Sequence, residues 1–146
     1  MSTKTDAQNL ADLQARVEAT LWDHEPLRTL GGRWSAHTLA DGTIELAGVV
    51  RTRLIKDSML VKVRALPGAA HVVDRLLADP DLEIAVAHAL AMDPRTRGMR
   101  PGVATVRSYH GRITLLGKLP VGASRQAVLD VARAVPGVVE ILDQLR

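Results

Sequence analysis

Two stretches of this chain carry the same residue pattern, and the duplication limits what the chain can fold into. The pattern runs from about residue 12 to 77 and again from 81 to 145. In its clearest part, Asp41-Gly42 aligns with His110-Gly111, and Gly42 and Gly111 lie 69 positions apart. Self-similarity at a fixed period defines the folding unit before any other feature does. The sequence therefore predicts one small unit, present twice.

The repeats also predict the domain boundaries. We expect a disordered N-terminal segment at 1–9, a first domain at 10–78 and a second at 79–146. Domains this small bury only about 60% of their unfolded surface and are marginal when isolated. The stretch between the repeats, Leu77 to Pro80, is too short for a flexible tether. We therefore expect the two domains to pack on each other.

Each repeat predicts the same α+β order of elements. Apolar residues spaced by three and four, such as Leu13, Val17 and Leu21, indicate an opening helix that ends before Pro26 or Pro94. A hairpin, a second helix and a last strand follow. The unit is thus α-β-β-α-β, with two helices packed on a small three-stranded mixed sheet. The last strand should run parallel to the strand before the second helix.

Glycines mark equivalent points in the two repeats. The first pair suits the hairpin turns, the second interrupts the return strands, and the third follows a proline at the end of each second helix. These glycines are Gly42 and Gly111, Gly48 and Gly117, and Gly68 and Gly137. A glycine inside a strand is typical of a bulge or of a close backbone approach, here by the following helix.

Composition excludes several kinds of site. The chain has no cysteine, which excludes disulfides and thiolate metal sites. Its five histidines do not match between the repeats, and no carboxylate pair or metal triad is apparent. We therefore predict a non-enzymatic protein without a cofactor or a metal. With no secretory leader and no transmembrane segment in the sequence, we expect a cytoplasmic protein.

Positive charge is concentrated in the second repeat. Residues 80–146 carry nine basic and six acidic side chains, and no acidic residue lies between Pro94 and Leu129. Guanidinium groups bind phosphate through two parallel hydrogen bonds. The anion-binding candidates are Arg95, Arg97, Arg100, Arg107 and Arg112, with Arg28 and Arg33 in the corresponding loop of the first repeat. A solvated face with counter-charges elsewhere is the alternative.

The duplicated motif resembles the BON domain, named for bacterial osmotic-shock and nodulation proteins. The resemblance rests on a turn, a strand of the form Ile44-x-Leu46-x-Gly48-x-Val50 and a closing Pro-Gly, each repeated 69 residues later. It covers about 130 residues and departs at His110, where an acidic residue or asparagine is commoner. The resemblance implies a tandem BON protein, an association with phospholipid and, from one cytoplasmic member type, potassium sensing.

These observations together predict a binding module for anionic phospholipid or another anionic surface. A structural or stress-related protein-interaction module, including a homo-oligomer, is the alternative from another class. Nucleic acid is a weaker partner, since only Trp22, Trp34 and Tyr109 are available for base stacking. Cation sensing is a further alternative. Either tryptophan could anchor the protein at a lipid interface, although packing in the core is the simpler role for both.

Overall fold

The protein divides into two compact units. The computed structural model describes residues 3–96, 98–100 and 102–146, with side chains from Asp6 onward. Unit 1 comprises residues 1–78 and unit 2 residues 79–146. The predicted N-terminal segment at 1–9 falls partly in this range, and its described part is helical. Asp6 lies in the first turn of that helix, where a negative charge complements the helix dipole.

The described residues of unit 1 form three helices and one sheet. Its elements in chain order are α1 (Thr3–Trp22), α2 (Glu25–Leu30), β1 (Gly32–Thr38), β2 (Thr43–Val50), α3 (Arg53–Arg64) and β3 (His71–Ala78). The sheet order is β1-β2-β3, with β1 antiparallel and β3 parallel to β2. Buried aliphatic side chains from the helices and the sheet, including Val17, Leu46 and Met59, form its core.

Within the part of unit 2 that the structure describes, the same plan recurs with two helices. Its elements are α4 (Asp79–Met92), β4 (Ala104–Tyr109), β5 (Arg112–Gly117), α5 (Arg125–Arg133) and β6 (Glu140–Leu145). The sheet order is β4-β5-β6, again with one antiparallel and one parallel pair. The predicted α+β class, with two α-β-β-α-β repeats and mixed three-stranded sheets, is confirmed.

The short helix α2 was not predicted. The sequence favoured a loop after Glu25-Pro26, because proline commonly ends a helix. Here Pro26 instead occupies the first turn of a new helix, where its missing N–H has no intrahelical partner to lose. Gly31, with φ 71°, ends α2. Unit 1 therefore has one element more than the predicted repeat.

The two hairpins differ in length by one residue. In unit 2, His110 and Gly111 form a two-residue turn with φ values of 52° and 85°, which is the pattern of a type I′ turn. In unit 1, the Leu39 N–H donates to the Thr43 carbonyl across a three-residue loop that ends at Gly42, with φ 86°. The shift between the repeats is therefore 69 residues along the return strands but 70 along the first strands.

Gly48 and Gly117 mark a close approach between strands. A Cβ at Gly48 would lie 1.8 Å from the Arg33 carbonyl oxygen, and a Cβ at Gly117 would lie 2.5 Å from that of Val103. Both glycines have φ near 130°, at 130° and 127°. The approaching backbone belongs to the preceding strand in unit 1 and to the residue before β4 in unit 2, so the prediction that the following helix approaches is wrong.

Candidate anion-binding site

The predicted arginines do not gather into one loop cluster. Arg97 lies outside the described residues. Arg100 is exposed in the segment before β4, and Arg107 and Arg112 are exposed on β4 and β5. In unit 1, Arg28 lies on α2 and Arg33 on β1. Among the described arginines of unit 2, the strand register places Arg107 and Arg112 on one surface.

Arg95 is held by a carboxylate close to it in sequence. Its Nε and Nη2 donate to the two carboxylate oxygens of Asp93 at 3.0 and 2.9 Å. The hydrogen bonds from the side chain and backbone of Arg95 lower the pKa of Asp93 to about 2. Arg95 also borders a depression in the helical layer. This depression is lined by Val131 of α5 and by Ala134, the residue after α5. The charge of Arg95 is therefore largely satisfied locally, away from the sheet.

The outer surface of the unit 2 sheet holds the remaining pair. Side chains alternate along the strands, with Ile113 and Leu115 buried on the inner surface. Arg107 and Tyr109 on β4 are exposed on the outer surface, and Arg112 lies directly opposite Tyr109. We call the outer surface of strands β4 to β6 the open face. On it, Arg107, Tyr109 and Arg112 are neighbours.

Tyr109 gives the open face an aromatic group. Its side chain is 57% exposed, and its ring lies 4.1 Å from that of His110, centroid to centroid. Leu142 of β6, also exposed, lies opposite Thr114 on the same face. The open face thus combines guanidinium groups with an amphipathic ring and an aliphatic side chain.

The charges on the open face are only partly balanced. The Nε atom of Arg112 lies 3.5 Å from a carboxylate oxygen of Glu140, and both side chains are more than half exposed. Exposed ion pairs of this kind contribute little, typically below about 1 kcal/mol. Arg107 forms no ion pair with any residue that the structure describes. Both guanidinium groups can therefore exchange water or a weak partner for an anion.

Two carboxylates of α4 fix the hairpin that carries Tyr109. The buried carboxylate of Asp79 accepts hydrogen bonds from the Ser108 hydroxyl at 2.6 Å and from the N–H groups of His110 and Gly111 at 3.0 and 3.2 Å. Glu83 accepts from the Ser108 N–H at 2.8 Å. These contacts position the turn at the end of the open face.

Unit 1 has an equivalent contact at only one of these positions. Gln14, which aligns with Glu83, accepts from the Thr38 N–H at 2.8 Å and donates to the Ala36 carbonyl at 2.7 Å. Leu10 stands where unit 2 has Asp79. Gln14 and Glu83 occupy equivalent positions of the two repeats and make equivalent contacts. The buried Asp79 is specific to unit 2, and its hairpin contacts were not predicted.

A buried histidine connects the helices of unit 1. The Ser58 hydroxyl donates to the Ile55 carbonyl at 2.8 Å, so its oxygen accepts from Nε2 of His24 at 2.7 Å. Burial and, second, the nearby positive charge of Lys62 lower the pKa of His24. His88, predicted to lie on the surface of its helix, is exposed. In the described part of the chain, no group of three or more histidine and acidic side chains could hold a metal ion.

A comparison with protein-family models gives a match over unit 2, and the match starts one residue before Asp79. Residues 78–146 match the model of the BON domain. The open face and the hairpin contacts of Asp79 both lie within it. The match favours a binding or structural module. No helix among the described residues is long and apolar enough to cross a membrane.

Other comparisons are less informative. No curated protein matches the chain. Among solved structures, CdsD, a structural protein of the type III secretion system of Chlamydia trachomatis, has a TM-score of 0.38 at 13% identity, covering 89% of this chain and 91% of that one. The C-terminal domain of CdsD gives 0.37 at 13% identity, covering 88% and 96%. Similarity at this level does not extend to function.

Proposed function

We propose that the protein binds anionic phospholipid surfaces through the open face of its BON domain. The observation that supports this best is that Arg107, Tyr109 and Arg112 are neighbours on one exposed sheet surface. Arginine binds phosphate oxygens through paired hydrogen bonds. Tyrosine places its ring among lipid headgroups with the hydroxyl toward water. Arg100, Arg28 and Arg33 remain secondary candidates.

Binding to a membrane requires several side chains to act together, because each contributes only a small free energy. A basic residue near an anionic membrane contributes about 1 kcal/mol. Replacing both arginines of the open face should therefore cost about 2 kcal/mol, which is about thirtyfold in partitioning. Tyr109 and Leu142 add apolar contact that does not depend on salt. Binding should accordingly weaken strongly, but not completely, as salt rises.

Co-sedimentation with vesicles tests this proposal. The chain and its R107Q/R112Q variant are mixed with phosphatidylcholine vesicles, with and without phosphatidylglycerol. The control is R133Q, which removes one positive charge from an exposed position on α5, in the helical layer of the same unit, and it is also compared with the single variants R107Q and R112Q. We expect pelleting with phosphatidylglycerol that R107Q/R112Q loses and R133Q keeps. Equal loss in both variants, or pelleting with phosphatidylcholine alone, would contradict the proposal.

We also propose that unit 1 is a second BON domain, which makes the chain a tandem BON protein. Both units share the strand order, the parallel closing strand and a positive-φ glycine in the return strand that faces the preceding backbone. The extra helix α2 is the main departure. A tandem arrangement predicts two separable unfolding units of similar size, measurable by calorimetry.

Self-association is the second candidate function. Leu54 and Val61 of α3 are 79% and 66% exposed, and their spacing of seven residues puts them on one stripe. Paired apolar side chains on a helix surface favour docking against another chain. Sedimentation equilibrium of the chain and of L54S/V61S tests this. A wild-type oligomer that the variant converts to monomer supports it, and a monomeric wild-type protein would contradict it.

A further inference from the structure

Unit 1 contains a cavity at the edge of its core, and Arg28 lines it. The cavity has a volume of about 400 Å³ and lies between the end of α1, helix α2 and the start of β1. Its lining residues are Leu21, Trp22, Leu27, Arg28, Gly31, Gly32 and Trp34. This volume and this mixture of apolar walls with one charged group are typical of a site for a small molecule.

Both tryptophans of the chain line this one cavity. Their ring centroids are 5.3 Å apart and the rings meet edge to face at 60°. Trp34 packs partly against the core, as core packing predicts, whereas Trp22 is 66% exposed. A chain with only three aromatic residues has thus placed two of them at one opening. A further ring could join the pair in an edge-to-face or offset arrangement.

Arg28 supplies the polar group at the wall of the cavity. Its side chain has no hydrogen-bond or ion-pair partner among the described residues. Asp23 and Glu25 border a separate depression on another side of Arg28, but neither forms an ion pair with it. A guanidinium beside aromatic walls recognises a carboxylate attached to a flat apolar body.

Helix α2 is an addition to the repeat, and it is held in place. Unit 2 has no helix in the described part of the segment between α4 and β4. In unit 1, His24 precedes α2 and its buried ring is hydrogen-bonded to Ser58 of α3. Leu27 of α2 is buried in the core. The wall that carries Arg28 is therefore anchored at both its start and its middle, which favours a preformed site.

We propose that this cavity binds an aromatic carboxylate, with the ring against Trp22 and Trp34 and the carboxylate on Arg28. The ligands that fit this site share an aromatic ring joined to a carboxylate by a short linker. This arrangement occurs in free aromatic acids and at the C-terminus of a peptide that ends in phenylalanine. The site lies in unit 1 and does not depend on the phospholipid proposal for unit 2.

Tryptophan fluorescence provides the test, because both tryptophans lie at the site. The chain is titrated with phenylacetate, with uncharged phenylacetamide, with non-aromatic cyclohexylacetate and with glycyl-phenylalanine. We expect a saturable change with phenylacetate that is about tenfold weaker with phenylacetamide, since a hydrogen bond to a charged group is lost. A response to glycyl-phenylalanine at least as strong as that to phenylacetate assigns the site to peptide termini.

Variants test the assigned contacts. R28Q should weaken phenylacetate binding about tenfold. R64Q, which removes an exposed arginine at the end of α3 and outside the cavity lining, should leave it unchanged. Circular dichroism checks that R28Q folds. If R28Q does not fold, the comparison of phenylacetate with phenylacetamide on the unaltered chain still tests the proposal. No saturable change, or equal responses to the acid, the amide and the cyclohexyl compound, would overturn the proposal.

Discussion

The buried carboxylate of Asp79 accepts a hydrogen bond of 2.6 Å from the hydroxyl of Ser108. Asp79 lies in the first turn of α4 and is only 1% exposed, so the contact joins the helix to the hairpin in a water-excluded site. The same carboxylate accepts from two further backbone N–H groups of the turn. Loss of this carboxylate would remove an acceptor from all three of these donors.

D79N should therefore destabilise unit 2. In asparagine an amide NH2 group replaces one carboxylate oxygen and faces the N–H of His110, so that two donors meet. We expect a loss of about 1–3 kcal/mol in the free energy of unfolding. D130N, at an exposed position of α5, should change it by less than about 0.5 kcal/mol. Urea unfolding followed by far-ultraviolet circular dichroism measures both. Equal stabilities of the two variants would contradict the role of Asp79.

The positive-φ glycines of unit 1 should differ in their tolerance of alanine. At Gly42 a Cβ has its nearest neighbour at 3.8 Å, so G42A should cost only the backbone strain, about 1–2 kcal/mol. At Gly48 the Cβ would collide with the Arg33 carbonyl, and we expect a loss of at least about 3 kcal/mol. Tryptophan fluorescence during urea unfolding reports on unit 1. A Gly48 variant as stable as the Gly42 variant would refute the close approach.

His24 should make unit 1 less stable in mild acid. Its folded-state pKa is lowered below the ordinary value of 6.5 by burial and by Lys62. The unfolded chain therefore takes up a proton first, and stability is lost as the pH falls through about 6.5 toward the folded-state pKa. Fluorescence-detected unfolding at several pH values measures this loss. H24Q should remove it, whereas H88Q, at an exposed position, should retain it.

The pairing of Arg95 with Asp93 should be visible in the titration of Asp93. In the intact chain the pKa of its carboxyl is about 2, because Arg95 donates to both of its oxygens. R95Q should raise this pKa toward the ordinary value of 3.8. Carbon-detected nuclear magnetic resonance of the side-chain carboxyl follows the titration. An unchanged midpoint would show that the pair does not persist in solution.

Much of the fold could be predicted because both repeats carry the same local signals. The alternation of Ile44, Leu46 and Val50 on the return strand places these side chains on one buried surface, and all three are buried in the structure. The helix, hairpin and closing strand followed from periodicity and from turn residues. The duplication strengthens each of these predictions, because both repeats carry the signal for the same element.

Other features of the fold depend on contacts that a single pattern does not show. The one-residue difference between the hairpins follows from turn type, which the alignment of Asp41-Gly42 with His110-Gly111 obscures. Helix α2 was missed because Pro26 reads equally as a helix end or a helix start. The backbone that approaches Gly48 belongs to the paired strand β1. The register of the two strands decides which residue it is.

The candidate sites were predictable only as a set of charges. Composition identified the arginines of the second repeat but could not show that Arg95 pairs with Asp93 while Arg107 faces outward. The alternation of Arg107 with Tyr109 was a usable signal for the open face. No sequence signal connects Trp22 with Arg28 and Trp34, because a helix that was not predicted brings them together.

Lipid binding by the open face is tested most directly by a map of backbone amide shifts on adding bicelles that contain phosphatidylglycerol. We expect the shifts to concentrate in β4 and β5, around Arg107, Tyr109 and Arg112, and to shrink as salt is raised. The exposed face of α5, around Arg133, should remain unchanged. Shifts that cluster on the helices of unit 2 or on unit 1, or no shifts at all, would contradict it.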